Sequence, residues 1–129
     1  MAKKASVVYV IDDDKSARSA LERLLRSADL DTETFSSADE FLKSPKEEKN
    51  SCILMDIRIP GPTGFDLQQK LAASDIRIPV IVISASDDPK IRERARELGA
   101  VSFFQKPVDD QALLDAIWWG ISGTKRDQT

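Results

Sequence analysis

Short apolar runs alternate with stretches of helical periodicity from one end of the chain to the other. The runs are Val7 to Ile11, Thr32 to Phe35, Cys52 to Met55, Val80 to Ile83 and Ser102 to Gln105. Each is rich in β-branched or aromatic residues or is fully apolar, which predicts strands covered on both faces. After the first, Ala17, Ala20, Leu21, Leu24, Leu25 and Ala28 recur at the spacing of one helical face. Ser37 and Glu40 have capping-box spacing and open a short second helix through Phe41 and Leu42; Ser44 to Asn50 then reads as a polar loop. Phe65 to Ala73 supplies the third helix. Pro89, at a first-turn position, opens the fourth, whose face is Ile91, Ala95 and Leu98 before the stop signal Gly99. A fifth starts at Asp109 and runs to about Gly120.

This alternation predicts a flavodoxin-like α/β fold: a doubly wound (βα)5 unit with a five-stranded parallel sheet in the order 2-1-3-4-5. The 129 residues suit one domain, expected over residues 1–121, with 122–129 a polar, frayed tail or the start of a linker. The fifth helix carries a stripe of Leu113, Ala116 and Ile117 and a second of Leu114, Trp118 and Ile121, with Trp119 close by. The second stripe reads either as a helix tucked under its neighbour or as an exposed patch awaiting a partner or a second copy.

Apolar residues make up 41% and charged residues 32% of the chain, the balance of a globular protein rather than a disordered or membrane one. The net charge of −3 and the lack of any long Lys/Arg run leave no basic footprint for nucleic acid or anionic lipid. Cys52, the only cysteine, lies in an apolar run and reads as a small core hydrophobe. With no intrachain disulfide available and an apolar stretch of only five residues, Val7 to Ile11, closed by three aspartates, neither secretion nor a membrane span is indicated, and a cytoplasmic location is expected.

In doubly wound sheets ligands bind beyond the carboxyl ends of the strands. Strand one ends in Asp12, Asp13 and Asp14, strand three in Asp56, strand four in Ser84, and strand five in Lys106 followed by Pro107. Taken singly these could be helix caps, a turn residue, a loop hydroxyl and a surface charge. Together at one sheet edge they form a set. Carboxylates forced together raise each other's pKa values and need a cation, and hard oxygen donors without His point to Mg²⁺ or Mn²⁺ rather than zinc. A carboxylate can attack phosphorus without a general base if metal and ammonium neutralise the phosphoryl oxygens. Asp56 is then the nucleophile, Asp13 a direct metal ligand, Asp12 a ligand or water-mediated support, Lys106 the fixed cation, and Ser84 the hydroxyl donor to the phosphoryl group.

From Val7 to Ile121 these residues resemble the response-regulator receiver family of two-component signalling. Val10 to Asp14 resembles its acidic pair after strand one, and Leu54 to Pro60 with Gly64 its phosphoacceptor strand and loop. Ile83-Ser84-Ala85 resembles its hydroxyl position, and Gly99-Ala100 through Phe103-Phe104-Gln105-Lys106-Pro107 its strand-five signature. The resemblance implies that Asp56 accepts phosphate from a histidine kinase or histidine phosphotransfer protein. It also implies that the Arg58 carbonyl joins Asp13 and Asp56 around Mg²⁺, that the Lys106–Pro107 bond is cis, and that Phe103 is a switch aromatic moving with Ser84. Helix four, strand five and helix five become the output surface, where a phosphorylation-dependent homodimer is one expectation. Ser36 to Leu42 is similar to receivers of the nitrogen-fixation regulator type. Val108 and Ile59 depart from common family residues without touching the chemistry, while Arg58 and Ser86 occupy positions that tune self-dephosphorylation in the family. The chain lacks histidine, so the donor histidine lies on another chain or in a region absent here.

Two rival readings come from other classes. A phosphatase of the haloacid dehalogenase type would use Asp12 as nucleophile in Asp12-Asp13-Asp14-Lys15-Ser16, but leaves Asp56 and its Pro60/Gly64 loop without a role and the chain short of a cap. A receiver-like binding module without phosphotransfer usually lacks an acidic or lysine position, and none is missing.

Overall fold

The computed structural model describes residues 6–44, 50–57 and 63–126. Strands β1 (Val7–Ile11), β2 (Asp31–Phe35), β3 (Ser51–Ile57), β4 (Val80–Ser84) and β5 (Ser102–Gln105) alternate with helices α1 (Lys15–Ser27), α2 (Ala38–Lys43), α3 (Thr63–Ala72), α4 (Pro89–Glu97) and α5 (Asp110–Arg126). All neighbouring strands pair in parallel, in the order β2-β1-β3-β4-β5, as the sequence pattern predicts.

Period-two alternation sends successive strand residues to opposite faces, and both faces are buried. Tyr9, Ile11, Ile53, Met55 and Val82 meet Phe41 of α2, Leu71 of α3 and Ala95 of α4. Val8, Val10, Cys52, Leu54, Ile81 and Ile83 meet Leu25 of α1 and Leu113, Ile117 and Ile121 of α5. The first core has an aromatic centre, with Phe41 edge-on to Tyr9 at 5.7 Å and to Phe35 at 5.3 Å between centroids.

The helix signals act locally. Asp14 caps α1 by accepting from the Ser16 N–H, and Ser37 caps α2 by accepting from the Glu40 N–H. Glu40 reaches back to the N–H of Ser36 rather than Ser37, a one-residue variant of the capping box. Gly99 follows α4 at a φ of 102°, in the left-handed region where a side chain is strained.

Several details differ from the sequence pattern. The strand β3 continues to Ile57 because Asp56 pairs with Ile83 and Ile57 with Ser84, so Asp56 lies inside the ladder rather than after it. On α1, Ala20 is exposed while Leu21, Leu24 and Ala28 pack on the core, since Ala20 sits at the border of the stripe. Helix α3 begins at Thr63, two residues before Phe65. Helix α5 does not stop near Gly120 but runs to Arg126, through most of the expected tail. Gly120 acts there as a contact and not as a terminator: a Cβ at that position would lie 3.5 Å from Pro79 Cβ and 3.7 Å from Cys52 Sγ. The second stripe of α5 divides, with Ile121 buried, Leu114 half-buried, and Trp118 and Trp119 exposed. Among the described residues no helix is long and apolar enough to cross a membrane.

Candidate functional site

Parallel pairing of β1 with β3 places Ile11 opposite Met55, so the residues that follow, Asp12 and Asp56, arrive side by side at the carboxyl edge. Asp56 is held there by its own strand β3, and Asp12 by β2 and α1. The Asp12 N–H donates to the Phe35 carbonyl at 3.1 Å, and its Oδ1 accepts from the Asp14 N–H at 2.9 Å. Arg18, on the first turns of α1, donates through Nη1 to the Asp12 carbonyl oxygen at 2.7 Å. The Asp56 side chain is 3% exposed.

From the far side of β4, the Lys106 N–H donates to the Ser84 carbonyl at 2.8 Å, which continues the β4/β5 ladder by one residue. The Lys106–Pro107 peptide is cis. Lys106 Nζ then crosses the end of β4 and forms an ion pair with Asp56 Oδ2. Asp12, Asp56 and Lys106 are thus brought together from residues 44 and 50 positions apart, through register alone.

Burial lifts the Asp12 carboxyl from its ordinary value of 3.8 to about 6; the adjacent Asp56 carboxylate adds to the rise, and the Asp14 N–H and Lys106 oppose it. Two carboxylates meeting in a buried place with one ammonium form an oxygen donor set short of positive charge. That suits a hard divalent cation against Asp12 and Asp56. Asp13 lies at the same edge but is exposed, and among the described residues no three acidic, Cys or His side chains converge on one point. Arg58, expected to offer its carbonyl, lies outside the described residues, as do Ile59 and Pro60, whereas Gly64 falls within α3.

Ser84 is 1% exposed at the end of β4, and its Oγ is turned toward its own loop, accepting from the Ser86 N–H at 3.1 Å. Phe103 on β5 is half-buried against the core, with the Arg92 guanidinium of α4 lying 5.3 Å from its ring centroid. Cys52 is buried far from the charged edge, and burial pushes its thiol up to about 12.

Three residues that brace the site's elements escaped the sequence reading: Arg18, Arg92 and Gln68. Gln68 is 1% exposed and donates through Nε2 to the Ala95 carbonyl at 2.7 Å, tying α3 to α4. Its signal was present, since it breaks an otherwise apolar helical face between Phe65 and Leu71. Arg18 and Arg92 gave none, because one cation among many on amphipathic helices looks like solvated surface.

The family model described as "Response regulator receiver domain" matches residues 8–118. Nodulation protein W of Bradyrhizobium diazoefficiens is 41% identical over 127 residues, covering 98% of this chain and 55% of that protein. The structure resembles that of the response regulator StyR with a TM-score of 0.85 at 40% identity, over 97% of this chain and 63% of StyR. It also resembles the crystal structure of FixJ-N with a TM-score of 0.83 at 28% identity, over 93% of this chain and 96% of that one. The chain spans about half the length of the curated relatives it matches.

Proposed function

The chain belongs to the response-regulator receiver family, the phosphoacceptor switches of two-component signalling, and from that premise we propose that Asp56 takes the phosphoryl group. The observation that carries this reading is the ion pair between Lys106 and a nearly fully buried Asp56, beside a second buried carboxylate. Lys106 Nζ binds Oδ2, which leaves Oδ1 of Asp56 as the attacking atom. The ammonium lies where a phosphoryl oxygen attached to that carboxylate would develop charge, so it stabilises transfer as well as the resting carboxylate.

Receiver domains generally bind Mg²⁺ at their phosphorylation site, and Asp12 and Asp56 would hold it here, with Asp13 and the Arg58 carbonyl as the further ligands that the family resemblance implies. Bound there, the ion neutralises phosphoryl oxygens that Lys106 does not reach. Ser84, one residue beyond the Asp56 register partner Ile83, supplies a hydroxyl to the new group after turning from its loop. The phosphoryl group adds nearly two negative charges and three acceptors in one place, enough to bias a two-state packing. Phe103 and the surface of α4, β5 and α5 read out that bias, and exposed Val101, Trp118 and Trp119 give the surface apolar area for a partner or a second copy. The phosphoryl donor is a phosphohistidine on a kinase or phosphotransfer protein, met in the cytoplasm.

The test is incubation with Mg²⁺ and acetyl phosphate, followed by mapping of the acyl phosphate in the wild type, Asp56→Asn and Asp12→Asn. Label on Asp56 that Asp56→Asn abolishes is the expected result. Label that survives Asp56→Asn and vanishes in Asp12→Asn would overturn the assignment in favour of an Asp12 nucleophile.

A further inference from the structure

Asp12 follows the last paired residue of β1, since the register ends at Ile11 opposite Phe35 and Met55. Its N–H donates to the Phe35 carbonyl at 3.1 Å, its Oδ1 accepts from the Asp14 N–H at 2.9 Å, and its carbonyl oxygen accepts from Arg18 Nη1 at 2.7 Å. A carbonyl taken out of water at the end of a strand needs a donor, and α1 supplies it. Of the three arginines of α1, Arg23 and Arg26 are exposed and Arg18 is half-buried. Arg18 stands one turn before Leu21 and two before Leu25, on the side of the helix that packs against Val10 and Leu54. Its guanidinium reaches back six residues to the strand end, while its own N–H stays in the helix and donates to the Asp14 carbonyl at 3.0 Å.

A peptide unit is planar, so a hydrogen bond to the Asp12 carbonyl oxygen orients the whole unit between Asp12 and Asp13. The Asp14 N–H, held by Asp12 Oδ1, belongs to the unit between Asp13 and Asp14. Both units that flank Asp13 are therefore pinned. That sets the φ and ψ of Asp13 and with them the direction of its Cα–Cβ bond, although the side chain itself is exposed. The two pins differ in kind. One takes up an oxygen of the Asp12 carboxylate, which also faces the cation site. The Arg18 bond takes up no carboxylate oxygen, and it is short and charge-assisted, the stronger class of hydrogen bond.

On the reading of Asp12, Asp13 and Asp56 as holders of a divalent cation, we propose that Arg18 is a positioning residue for that cation: by clamping the Asp12 carbonyl it aims Asp13 before the ion arrives. A ligand aimed in advance gives up less freedom on binding, so the clamp strengthens cation affinity from outside the coordination sphere. The guanidinium also carries a positive charge, which by itself would repel the ion. The two effects have opposite signs, and that makes the role testable.

The experiment is calorimetric titration of the full chain with Mg²⁺ in wild type, Arg18→Met, which keeps the stem, and Arg18→Lys, which keeps the charge. Arg18→Met should bind Mg²⁺ about ten- to a hundredfold more weakly, the cost of losing an outer-shell partner. The Mg²⁺ concentration that half-saturates acetyl phosphate labelling of Asp56 should rise by the same factor. Arg18→Lys should fall between the two, because an ammonium can donate one bond but lacks the reach and planar fork of a guanidinium. Binding in Arg18→Met that is tighter than in the wild type overturns the proposal, since the guanidinium then acts only as a repelling charge. Unchanged binding with a lowered urea midpoint overturns it as well and makes Arg18 a structural brace alone. Should Arg18→Met not fold, wild-type affinity in Arg18→Lys overturns it. A wild type that shows the expected Arg18 dependence but takes no label on Asp56 upholds the clamp and overturns the phosphoacceptor assignment. A wild type that binds no Mg²⁺ overturns the clamp.

Discussion

The half of the molecule around β2, β1 and β3 and the half around β4, α4 and β5 are packed differently. In the first, Tyr9, Phe35 and Phe41 interlock edge to face, and nearly every residue of β1 and β3 is buried. In the second, β5 is half-buried, Phe103 is covered by a single guanidinium, and α4 offers one buried alanine. Asp12 and Asp56 grow from the rigid half; Ser84 ends β4, which is buried throughout, and leads into the looser α4 and β5, where Phe103 sits. Groups that must hold charges at fixed distances need a framework that does not relax, whereas a readout needs an element whose alternatives differ by little free energy.

The largest expected effect tests the packing contrast directly. Phe41→Ala should lower stability by about 3–5 kcal/mol, and Phe103→Ala by about 1–2 kcal/mol, because only the first ring is fully enclosed. Equal losses in urea denaturation would erase the distinction. Next, Lys106→Met should keep the fold and slow labelling of Asp56 by about 10²–10³-fold, as removal of a positioned charge does. Retained rates would take the ammonium out of the chemistry.

A third expectation concerns pH. The Asp12 carboxyl titrates at about 6 when folded against an ordinary 3.8, so between those values the folded chain binds more protons than the unfolded one. Its contribution favours folding below about pH 4 and is lost as the pH rises through 6. Asp12→Asn should flatten the fall in urea midpoint over that window, and Mg²⁺ should counter the fall in the wild type. A midpoint slope identical in wild type and Asp12→Asn would show that the carboxylates are not strained together. The smallest change is Gly120→Ala, expected to raise stability by about 0.5–1 kcal/mol. The new methyl fits against Pro79 and Cys52 at ordinary contact distances, and the helix loses less entropy on folding. A thermal melt that shows destabilisation would mean that α5 is packed tighter than its backbone implies.

Much of this was legible along the chain. Buried parallel strands leave near-continuous apolar runs, so β1, β3 and β4 appear as such, while the edge strands β2 and β5 show through their β-branched and aromatic residues, and a helix on a sheet repeats its apolar positions every three or four residues. The acidic, hydroxyl and lysine residues stand out because each ends a strand. Boundaries were less legible for a physical reason. Asp56 belongs to β3 because Ile83 is there to pair with it, and α5 passes Gly120 because Pro79 and Cys52 leave room for a close approach. Neither partner is near in sequence.

The sequence by itself determined the five-unit alternation, the cap at Ser37, the opening of the fourth helix at Pro89, the turn at Gly99 and the identity of the residues at the charged edge. These depend on period, side-chain chemistry and neighbours a few positions away. Only the tertiary structure decided that Lys106 spans to Asp56, that Asp13 faces solvent while Asp12 is buried, that Ser84 is engaged by its own loop, and that Gln68 clasps the end of α4. Such outcomes turn on register, burial and the direction of a side chain in three dimensions, and no periodicity along the chain encodes them.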